Sequence, residues 1–532
     1  MPVEPVDYII VGAGTAGCLL ADRLTANGQR RVVVLEAGGS DRRFWIRVPI
    51  GYGRTFNNPA VNWMYEAEPE PALGGARSFW PRGKVLGGSG SINAMVYARG
   101  QPSDFDDWRA LGNHGWGWSD VVPHYQAIEQ RTGGSLAITD VSRAAHPLCR
   151  AYIDACATLG MKFTADFNGP TPEGVGIYQI TTRNGLREST STAFLRPALR
   201  RGNLQLLLNA HAQRINFSGR RAVGVTYLQD GRTVTLRAAR SVILAAGSVN
   251  SPQLLQLSGV GPGALLQQHG IAPVLDLPAV GRNLQDHLGI NYVYRSRIPT
   301  LNNELYPWWG KIRAGLHYLL TRGGPLSMSV NQGGGFVRSR PELRAPDLQL
   351  YFNPASYTGT RERTRRLMNP DPFPAFITSF NACRPTSRGH LAIRSADPQV
   401  APAIYPNYLS TDQDLRDVQV GAHLLRRLAA APPLAALIES EMRPGPEKTT
   451  DEQLLQDFRA RAGSVFHPVG TCTMGTDPKS AVVDARLRVH GLEGLRIMDA
   501  SIFPTITSGN TNAPTAMVAD KGAAMLLADE TH

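Results

Sequence analysis

The chain of 532 residues is poor in cysteine and has no long apolar run. Its five cysteines include no CxxC pair, which argues against a zinc site and against a disulfide framework. No stretch of about 18 consecutive apolar residues occurs, so the sequence predicts no membrane-spanning helix. We therefore expect reduced, buried thiols, no bound metal and no transmembrane segment.

Acidic residues are also in short supply. Lys and Arg total 55 against 43 Asp and Glu, which gives a formal net charge of +12. Such an excess raises nucleic acid or an anionic membrane as partners, but the basic residues are dispersed, and the one dense cluster, at residues 361–366, is interrupted by Glu362. We expect a solvated basic surface, no nucleic-acid partner, and at most a weak peripheral membrane contact.

The start of the chain is the most informative stretch. Residues 7–11 and 32–35 are apolar and rich in β-branched side chains, whereas residues 18–27 carry apolar side chains at helical spacing. This order is typical of a βαβ unit. Because the first strand begins so close to Met1, we expect no signal peptide and a cytoplasmic location, with membrane association as an alternative.

Glycines at the first turn of this unit fit the GxGxxG pattern of dinucleotide-binding proteins. Gly12 allows the turn, Gly14 lets the backbone approach a pyrophosphate, and Gly17 allows close packing of helix and strand. N–H groups at the helix start attract phosphates, and Glu36 follows the second strand, where an acid binds ribose hydroxyls. The pattern does not distinguish FAD from NAD. The predicted dinucleotide-binding residues are Gly12, Gly14, Thr15, Ala16, Gly17 and Glu36.

A second glycine-rich block at residues 83–97 is followed by further recognisable blocks. They comprise residues 247–261, 280–287, 384–389, 467–475, 499–501 and 509–515. Together these blocks resemble the glucose-methanol-choline (GMC) oxidoreductases, and most of all their bacterial choline dehydrogenase-like and alcohol dehydrogenase branch. The resemblance runs from one end of the chain to the other.

The resemblance implies an α/β protein (α+β overall) with two domains, a number that the chain length also favours. A Rossmann-like FAD-binding domain is expected from residues 1–160, 200–297 and 464–532. A second domain, built on an antiparallel sheet, is expected to bind the substrate and to comprise residues 161–199 and 298–463.

FAD is the cofactor that the resemblance implies, with its pyrophosphate over residues 14–16 and its adenosine ribose at Glu36. The flavin ring is expected against the loop 91–96, with residues 499–500 contacting the cofactor from the other side. Members that hold FAD covalently carry a histidine at the position of Ile92, so we expect non-covalent FAD. The further cofactor-binding residues implied are Gly88, Ser91, Asn93, Ala94, Met95, Val96, Asp499, Ala500 and Asn512.

His467 and Asn512 are the catalytic residues that the resemblance implies. Loss of the hydroxyl proton of an alcohol eases departure of a hydride from its carbon, and a histidine with an unperturbed pKa of about 6.5 suits the role of base. An amide N–H on the other side of the oxygen stabilises the developing alkoxide. His287 and Cys472 are interpreted instead as structural residues.

The expected reaction is oxidation of a primary aliphatic or aromatic alcohol to the aldehyde, with electrons passing to a quinone-like or dye-like acceptor. An oxidase that uses O2 and forms hydrogen peroxide is the alternative. A flavin-dependent fatty acid decarboxylase is less favoured, although Cys383, Arg384 and Pro385 match a motif of that branch, because the branch lacks the histidine–asparagine pair. Retention of this pair also argues against a protein that only binds flavin.

The substrate pocket is expected around Val465 and Phe466, which adjoin His467. Choline requires a carboxylate or an aromatic cage for its ammonium group, and a neutral Gln332 occupies the position where an acid is expected in the choline enzymes. Choline is therefore disfavoured, and aromatic residues favour an apolar pocket instead. These aromatic residues are Tyr306, Trp308, Trp309, Tyr351 and Phe352.

Overall fold

The computed structural model describes residues 5–358 and 369–530, and two seven-stranded sheets dominate the fold. In chain order their strands are β1 (Val6–Val11), β2 (Val32–Leu35), β3 (Gly174–Ile177), β4 (Leu204–Leu207), β5 (His211–Ser218), β6 (Arg221–Gln229), β7 (Arg232–Leu244), β8 (Leu288–Ser296), β9 (Gly333–Val337), β10 (Leu348–Asn353), β11 (Ala375–Ala382), β12 (Ile438–Arg443), β13 (Gly463–Ser464) and β14 (Leu495–Ile497).

The helices lie mainly between and beside these sheets. The longer ones are α1 (Thr15–Thr25), α2 (Pro102–Ala110), α3 (Trp118–Ile128), α4 (Leu148–Thr158), α5 (Gly247–Leu257), α6 (Trp308–Thr321), α7 (Asp412–Ala430), α8 (Asp451–Arg461) and α9 (Asn512–Asp529). Shorter helical segments include Phe44–Arg47, Tyr52–Thr55, Gly263–Gln268, Leu301–Leu305 and Pro432–Ala435. Across the described residues we find no helix with both the length and the apolar character needed to cross a membrane.

The first sheet is mixed. Its parallel part has the order β4-β2-β1-β7 with β14 on the other side of β7, and β7 then pairs antiparallel with β6, which pairs with β5. The short strand Val32–Leu35 is buried throughout and lies between two parallel neighbours. This burial explains why its sequence is uniformly apolar rather than alternating.

The second sheet is antiparallel, with the order β12-β8-β11-β10-β9-β3 and β13 paired with β8. Its register places Asn291, Ser379 and Tyr351 side by side on three neighbouring strands. Ser379 Oγ donates a hydrogen bond of 2.7 Å to Asn291 Oδ1. One face of this sheet therefore presents a row of polar side chains, while the strands also contribute to an apolar core.

Two apolar cores accompany the two sheets, but two segments pack away from the domain in which we expected them. Helix α4, expected in the FAD-binding domain, packs in the core of the antiparallel sheet through Leu148 and Tyr152. Residues 191–198, expected in the substrate domain, pack in the core of the first sheet through Phe194. Chain order alone does not show which sheet an apolar helical face meets, so both boundaries were misplaced.

Candidate active site

The carboxyl ends of the parallel strands open into one long cavity. Val11 pairs with both Leu35 and Leu244, so the residues that follow these strands lie at the same edge of the sheet. Gly12 and Glu36 follow β1 and β2, and both line the cavity. Ligands of open α/β sheets bind at this edge, outside the carboxyl ends of the strands.

Three glycines of the first turn have different structural roles. Gly12 has φ +98°, and a Cβ there would lie 2.6 Å from the Ala245 carbonyl oxygen. Gly14 precedes α1 and lines the cavity together with Thr15. Gly17 does not line it: a Cβ there would lie 1.9 Å from the Gly12 carbonyl oxygen. Gly17 therefore has the packing role that the sequence analysis gave it, and its contact with the cofactor stays a prediction.

The start of α1 is suited to an anion. Helix α1 has no side-chain cap and no acidic residue in its first turn. Its first residues, Thr15 and Ala16, line the cavity. Uncapped N–H groups and the helix dipole favour a phosphate at this position.

Glu36 is buried at the far end of the cavity from His467. Its carboxylate accepts hydrogen bonds from the Ala13 and Gly38 backbone N–H groups at 2.9 and 2.8 Å. Burial nevertheless raises the pKa of Glu36 to about 7. A buried carboxyl that lines a cavity beside a glycine turn has the chemistry needed to bind ribose hydroxyls.

The second glycine block forms a loop against the first. A Cβ on Gly88 would lie 2.7 Å from Gly14 Cα, so the two loops touch. Met95 has φ +65°, a conformation that is rare outside glycine and clusters at functional sites. The predicted ligands that line the cavity from this loop are Gly88, Asn93, Ala94, Met95 and Val96.

Ser91 and Ile92 belong to the same loop but differ in position. Ser91 is fully buried and does not line the cavity; its hydroxyl donates to the Leu86 carbonyl at 2.7 Å and fixes the loop. The contact of Ser91 with the cofactor stays a prediction, and its side chain is used within the loop. Ile92 lines the cavity.

Asp499 and Ala500, which come shortly after strand β14, also line the cavity. Asp499 Oδ2 accepts hydrogen bonds from the Gly247 N–H at 2.8 Å and from Ser251 Oγ at 2.6 Å. The carboxylate thereby joins β14 to the first turn of α5. This arrangement fixes the wall that faces the glycine loops.

His467 is held by two adjacent residues, Asp286 and His287. Asp286 Oδ1 accepts from the His467 backbone N–H at 2.7 Å, while its other oxygen accepts from Ser464 Oγ at 2.5 Å and Tyr408 Oη at 2.6 Å. His287 Nδ1 lies 2.9 Å from His467 Nδ1. Backbone and imidazole of His467 are thus both fixed from one segment.

The hydrogen bonds around His467 run in one direction. The Cys383 carbonyl, which only accepts, lies 2.9 Å from His287 Nε2, so the proton of His287 is on that nitrogen. Burial lowers the pKa of His287 to about 4, so its ring is neutral near pH 7. His287 Nδ1 must then accept from His467 Nδ1–H, which leaves His467 Nε2 as an acceptor.

An asparagine faces that acceptor, but it is not the predicted one. Asn510 Nδ2 lies 3.0 Å from His467 Nε2, and Asn510 Oδ1 accepts from Gln349 Nε2 at 3.3 Å. Asn512 Oδ1 instead accepts from Thr15 Oγ1 at 2.7 Å, beside the start of α1. The pairing of His467 with Asn512 is therefore corrected to Asn510, and Asn512 belongs to the cofactor end of the cavity, which it lines.

The cavity near His467 has one apolar wall and one polar wall. Phe466, with φ +70°, packs edge-to-face on Phe56 at 5.5 Å between ring centroids. The polar wall is the row on the antiparallel sheet that includes Tyr351. Apolar lining residues here are Tyr52, Phe56, Met95, Val330, Val465 and Phe466.

Five predicted pocket residues lie elsewhere. Gln332 is buried behind the sheet, where its side-chain oxygen accepts from the His146 N–H at 2.7 Å, so it neither lines the pocket nor bears on choline. Phe352 stacks on Tyr152 in the core of the antiparallel sheet. Trp308 and Trp309 are exposed on α6, and so is Tyr306 just before it. Only Tyr351 among the predicted aromatics lines the cavity.

Sequence reasoning missed Asn510 and the roles of the pair Asp286 and His287. All three residues belong to the sequence blocks that resemble the GMC family, and this resemblance was the signal that could have identified them. Within those blocks, nothing local shows which side chain faces which. Within the described residues, no cluster of three side chains is suited to hold a metal, and the carboxylates that line the cavity are Glu36 and Asp499.

A dinucleotide cradle that shares a cavity with a histidine base defines an oxidoreductase. The chain belongs to the GMC oxidoreductase family: the N-terminal family model matches residues 6–289 and the C-terminal model matches residues 385–519. The resemblance found in the sequence is confirmed.

Characterised relatives cover nearly the whole chain. It is 41% identical to an alcohol dehydrogenase (acceptor) of Pseudomonas putida, over 98% of this chain and 95% of the relative. It is 40% identical to an oxygen-dependent choline dehydrogenase of Vibrio vulnificus, over 98% and 94%. The two identities are too close to choose between these substrates.

Solved structures share the fold. A pyridoxine 4-oxidase from Mesorbium loti superposes with a TM-score of 0.89 at 29% identity, covering 99% of both chains. A formate oxidase from Aspergillus oryzae superposes with a TM-score of 0.91 at 25% identity, again covering 99% of both. The chain is thus an FAD-dependent oxidoreductase acting on CH–OH donors, and its uncapped α1, buried Glu36 and continuous cavity fit FAD.

Proposed function

We propose that this protein oxidises primary aliphatic or aromatic alcohols to aldehydes and passes the electrons to an acceptor other than oxygen. The observation that carries the proposal is the position of His467 Nε2 and Asn510 Nδ2, 3.0 Å apart in the cavity that the dinucleotide cradle also lines. A base and an amide donor at one point are what alcohol oxidation requires.

In this mechanism, the hydroxyl of the alcohol binds between His467 and Asn510. His467 Nε2 takes the hydroxyl proton, and the proton on Nδ1 stays with its bond to His287. The accepting imidazole nitrogen has one lone pair, so the hydroxyl replaces Asn510 Nδ2 as its donor, and the released N–H of Asn510 donates to the alcohol oxygen and stabilises the charge that develops there. FAD, when bound, would supply the acceptor for the hydride of the alcohol carbon, and the product would be the aldehyde.

Asn512 and the other lining residues have a different role, which is to hold the cofactor. Residues Gly12 to Ala16 would bind the pyrophosphate, Glu36 the adenosine ribose, and Asn93 to Val96 the flavin ring, with residues 499–500 opposite. Because Ile92 rather than histidine lines the cavity, we expect the flavin to be held without a covalent bond. Acid precipitation should then leave the yellow colour in the supernatant.

An apolar alcohol fits the substrate end better than choline does. Phe56, Phe466 and Val330 form an apolar wall there, and the two carboxylates among the described lining residues, Glu36 and Asp499, already accept hydrogen bonds from backbone N–H groups. Gln332 has no part in this preference, because its side chain is bonded to the His146 N–H and does not line the cavity. A trimethylammonium group would have aromatic faces, but the carboxylate of Asp286 beside His467 does not line the cavity and is bonded to Ser464 and Tyr408.

The acceptor is supported by similarity alone. A relative named as an alcohol dehydrogenase (acceptor) is 41% identical, which favours a quinone-like or dye-like acceptor. The structurally similar pyridoxine and formate oxidases favour O2 with formation of hydrogen peroxide, which is the second candidate.

Anaerobic mixing of the purified holoenzyme with a panel of primary alcohols, choline included, tests the proposal. We expect apolar alcohols to bleach the flavin absorbance, and the colour to return slowly on admission of air but quickly with a quinone. Rapid return with peroxide formation would make the protein an oxidase. Bleaching by choline alone, or by no alcohol, would refute the proposed substrate.

His467→Ala tests the base. General base catalysis contributes about 10²–10⁴-fold, so flavin reduction should slow by that factor while the flavin spectrum of the bound cofactor is unchanged. His114→Ala, at an exposed histidine, is the control. Reduction at nearly the original rate would show that His467 is not the base.

A further inference from the structure

Helix α6 exposes the largest group of apolar side chains that we find outside the cavity. Trp308 is 74% exposed and Leu320 is 85% exposed. Apolar patches of this kind on a folded protein mark sites of interaction with a partner or a membrane. The exposed apolar residues of α6 are Trp308, Trp309, Ile312, Leu316, Leu319 and Leu320.

The apolar face of α6 points away from the protein. The helix is anchored by a narrow stripe of Gly310, Ala314 and Tyr318, which are buried at a spacing of four residues. At about 100° per residue, the six exposed apolar side chains fall on an arc of about 120° centred opposite this stripe. Most amphipathic helices turn their apolar face inward, so α6 has the reverse orientation.

Basic residues flank this apolar face. Lys311 and Arg313 lie on its two sides, both exposed, and Trp308–Thr321 contains no acidic residue. The nearest acid along the chain is Glu304, which precedes the helix. Aromatic, aliphatic and basic side chains in this order are typical of helices that lie in the plane of a membrane interface.

A second segment extends the patch. Phe44 is 56% exposed. The guanidinium of the exposed Arg54 lies over the ring of the neighbouring Trp45, 4.3 Å from the ring centroid. Arg42 and Arg43, which precede these aromatic residues, are also exposed.

This second segment lies near α6. Tyr318 Oη donates to the Gly185 carbonyl at 2.9 Å, and Arg187 Nε, two residues on, donates to the Ile46 carbonyl at 3.0 Å. Residues 185–187 therefore connect α6 to the segment Phe44–Arg47, and we group the exposed apolar and basic residues of these two neighbouring elements as one patch.

We propose that this patch, formed by α6 and residues 42–45, docks the protein on an anionic lipid bilayer. The basic rim complements anionic headgroups, and the apolar arc inserts among the acyl chains without any transmembrane helix. A second copy of the chain is a poorer occupant, because a two-fold contact through this face would bring the basic rims of both copies together.

Docking would place the cavity close to the membrane. The chain leaves α6 through Pro325–Ser327 and reaches Val330, which lines the cavity. Tyr52, another lining residue, accepts from the Val330 N–H at 3.2 Å. An apolar alcohol or a lipid-soluble acceptor dissolved in the bilayer would therefore enter near its reaction site, although docking itself does not depend on the reaction.

Vesicle flotation of the holoenzyme tests the proposal, with phosphatidylcholine vesicles alone or mixed with phosphatidylglycerol. We expect binding to the anionic vesicles only. The double variant Leu316→Glu/Leu320→Glu should weaken it by at least about tenfold, and Lys311→Glu/Arg313→Glu by a similar factor, since each basic side chain contributes roughly fivefold near an anionic surface.

Leu111→Glu is the matched control, because Leu111 is 56% exposed at the end of α2 and is not one of the residues that form the patch. It should bind vesicles as the original protein does. All variants should keep their flavin spectrum, which excludes unfolding as the cause of lost binding. Absence of flotation, equal flotation of all variants, or a dimer in sedimentation equilibrium that only the α6 variants dissociate would overturn the proposal.

Discussion

At the scale of single residues, the site depends on the direction of a hydrogen-bond chain. The Cys383 carbonyl accepts a hydrogen bond from His287, His287 accepts one from His467, and His467 accepts one from Asn510. A carbonyl cannot donate, so every proton along the chain has one position. His287 thereby acts as a positioning residue for His467, although the sequence suggested only a structural role.

Replacing His287 by leucine should slow flavin reduction by about five- to tenfold, with little change in KM. The lost hydrogen bond, worth about 1 kcal/mol, no longer holds the proton of His467 on Nδ1. His287→Asn keeps an acceptor near the position of Nδ1 and should recover part of the rate. Stopped-flow reduction of the three proteins measures this, and equal rates for both variants would contradict a positioning role.

The buried, neutral His287 also makes stability depend on pH. Burial lowers the pKa of His287 to about 4, against about 6.5 in the unfolded chain. Below pH about 6.5 the unfolded chain takes up a proton that the folded protein does not, so this contribution to stability is lost as pH falls towards about 4.

The expected loss is about 3 kcal/mol between about pH 7 and pH 4. Denaturant unfolding of the original protein and of His287→Asn over this range measures it. The difference in unfolding free energy between them should shift by this amount against the original protein. A difference that does not change with pH would show that His287 is protonated in the folded state.

Some residues of the site could be predicted from the sequence and others could not. Glu36 and the glycines of the first turn were predictable, because a strand, a turn and a helix in succession fix their positions. Asn510 and Asn512 were not distinguishable, since both precede or begin α9 in a loop without periodicity. Their side chains diverge only because Asn512 is already helical, beside Thr15, while Asn510 remains in the loop beside His467.

At the scale of elements, apolar periodicity predicted the βαβ unit, whereas the aromatic residues of α6 were wrongly expected to line the substrate pocket. The βαβ unit was predicted because its strands are apolar throughout and its helix has an apolar face, and both are buried as expected. Helix α6 has a comparable pattern, but periodicity shows only that a helix has an apolar face. It does not show whether that face is buried in the protein, and in α6 the apolar face is exposed.

Two helical glycines provide a test at this scale. Alanine at Gly17 would place its Cβ 1.9 Å from the Gly12 carbonyl oxygen, whereas alanine at Gly315 of α6 would meet nothing within 4 Å. Gly17→Ala should separate α1 from its strand, cost at least about 1–3 kcal/mol and release FAD.

Gly315→Ala, the matched control, should instead stabilise the protein by about 0.5–1 kcal/mol through helix propensity alone. Unfolding curves and the flavin content of both purified variants decide the matter. Normal flavin content in Gly17→Ala would show that the close approach of α1 to β1 is not needed to bind the cofactor.

At the scale of the whole molecule, the cavity lies between two sheets with separate cores. Gly12, Glu36 and Asp499 line it from the parallel sheet, and Asn291 and Ser379 line it from the antiparallel one. A ligand that fills the cavity therefore contacts both halves of the fold. Sequence reasoning could not foresee these contacts, because they join blocks that are hundreds of residues apart.

FAD should accordingly stabilise the whole molecule in a way that depends on its concentration. A ligand at about 100 times its Kd adds about 2.7 kcal/mol, which for a chain of 532 residues raises Tm by about 2–3 °C. Apoprotein prepared by acid treatment should unfold at lower temperature, and added FAD should raise its Tm progressively. A covalently attached flavin is neither released by acid nor replaced by added FAD. If the precipitate stays yellow and added FAD leaves Tm unchanged, Ile92 does not prevent covalent attachment.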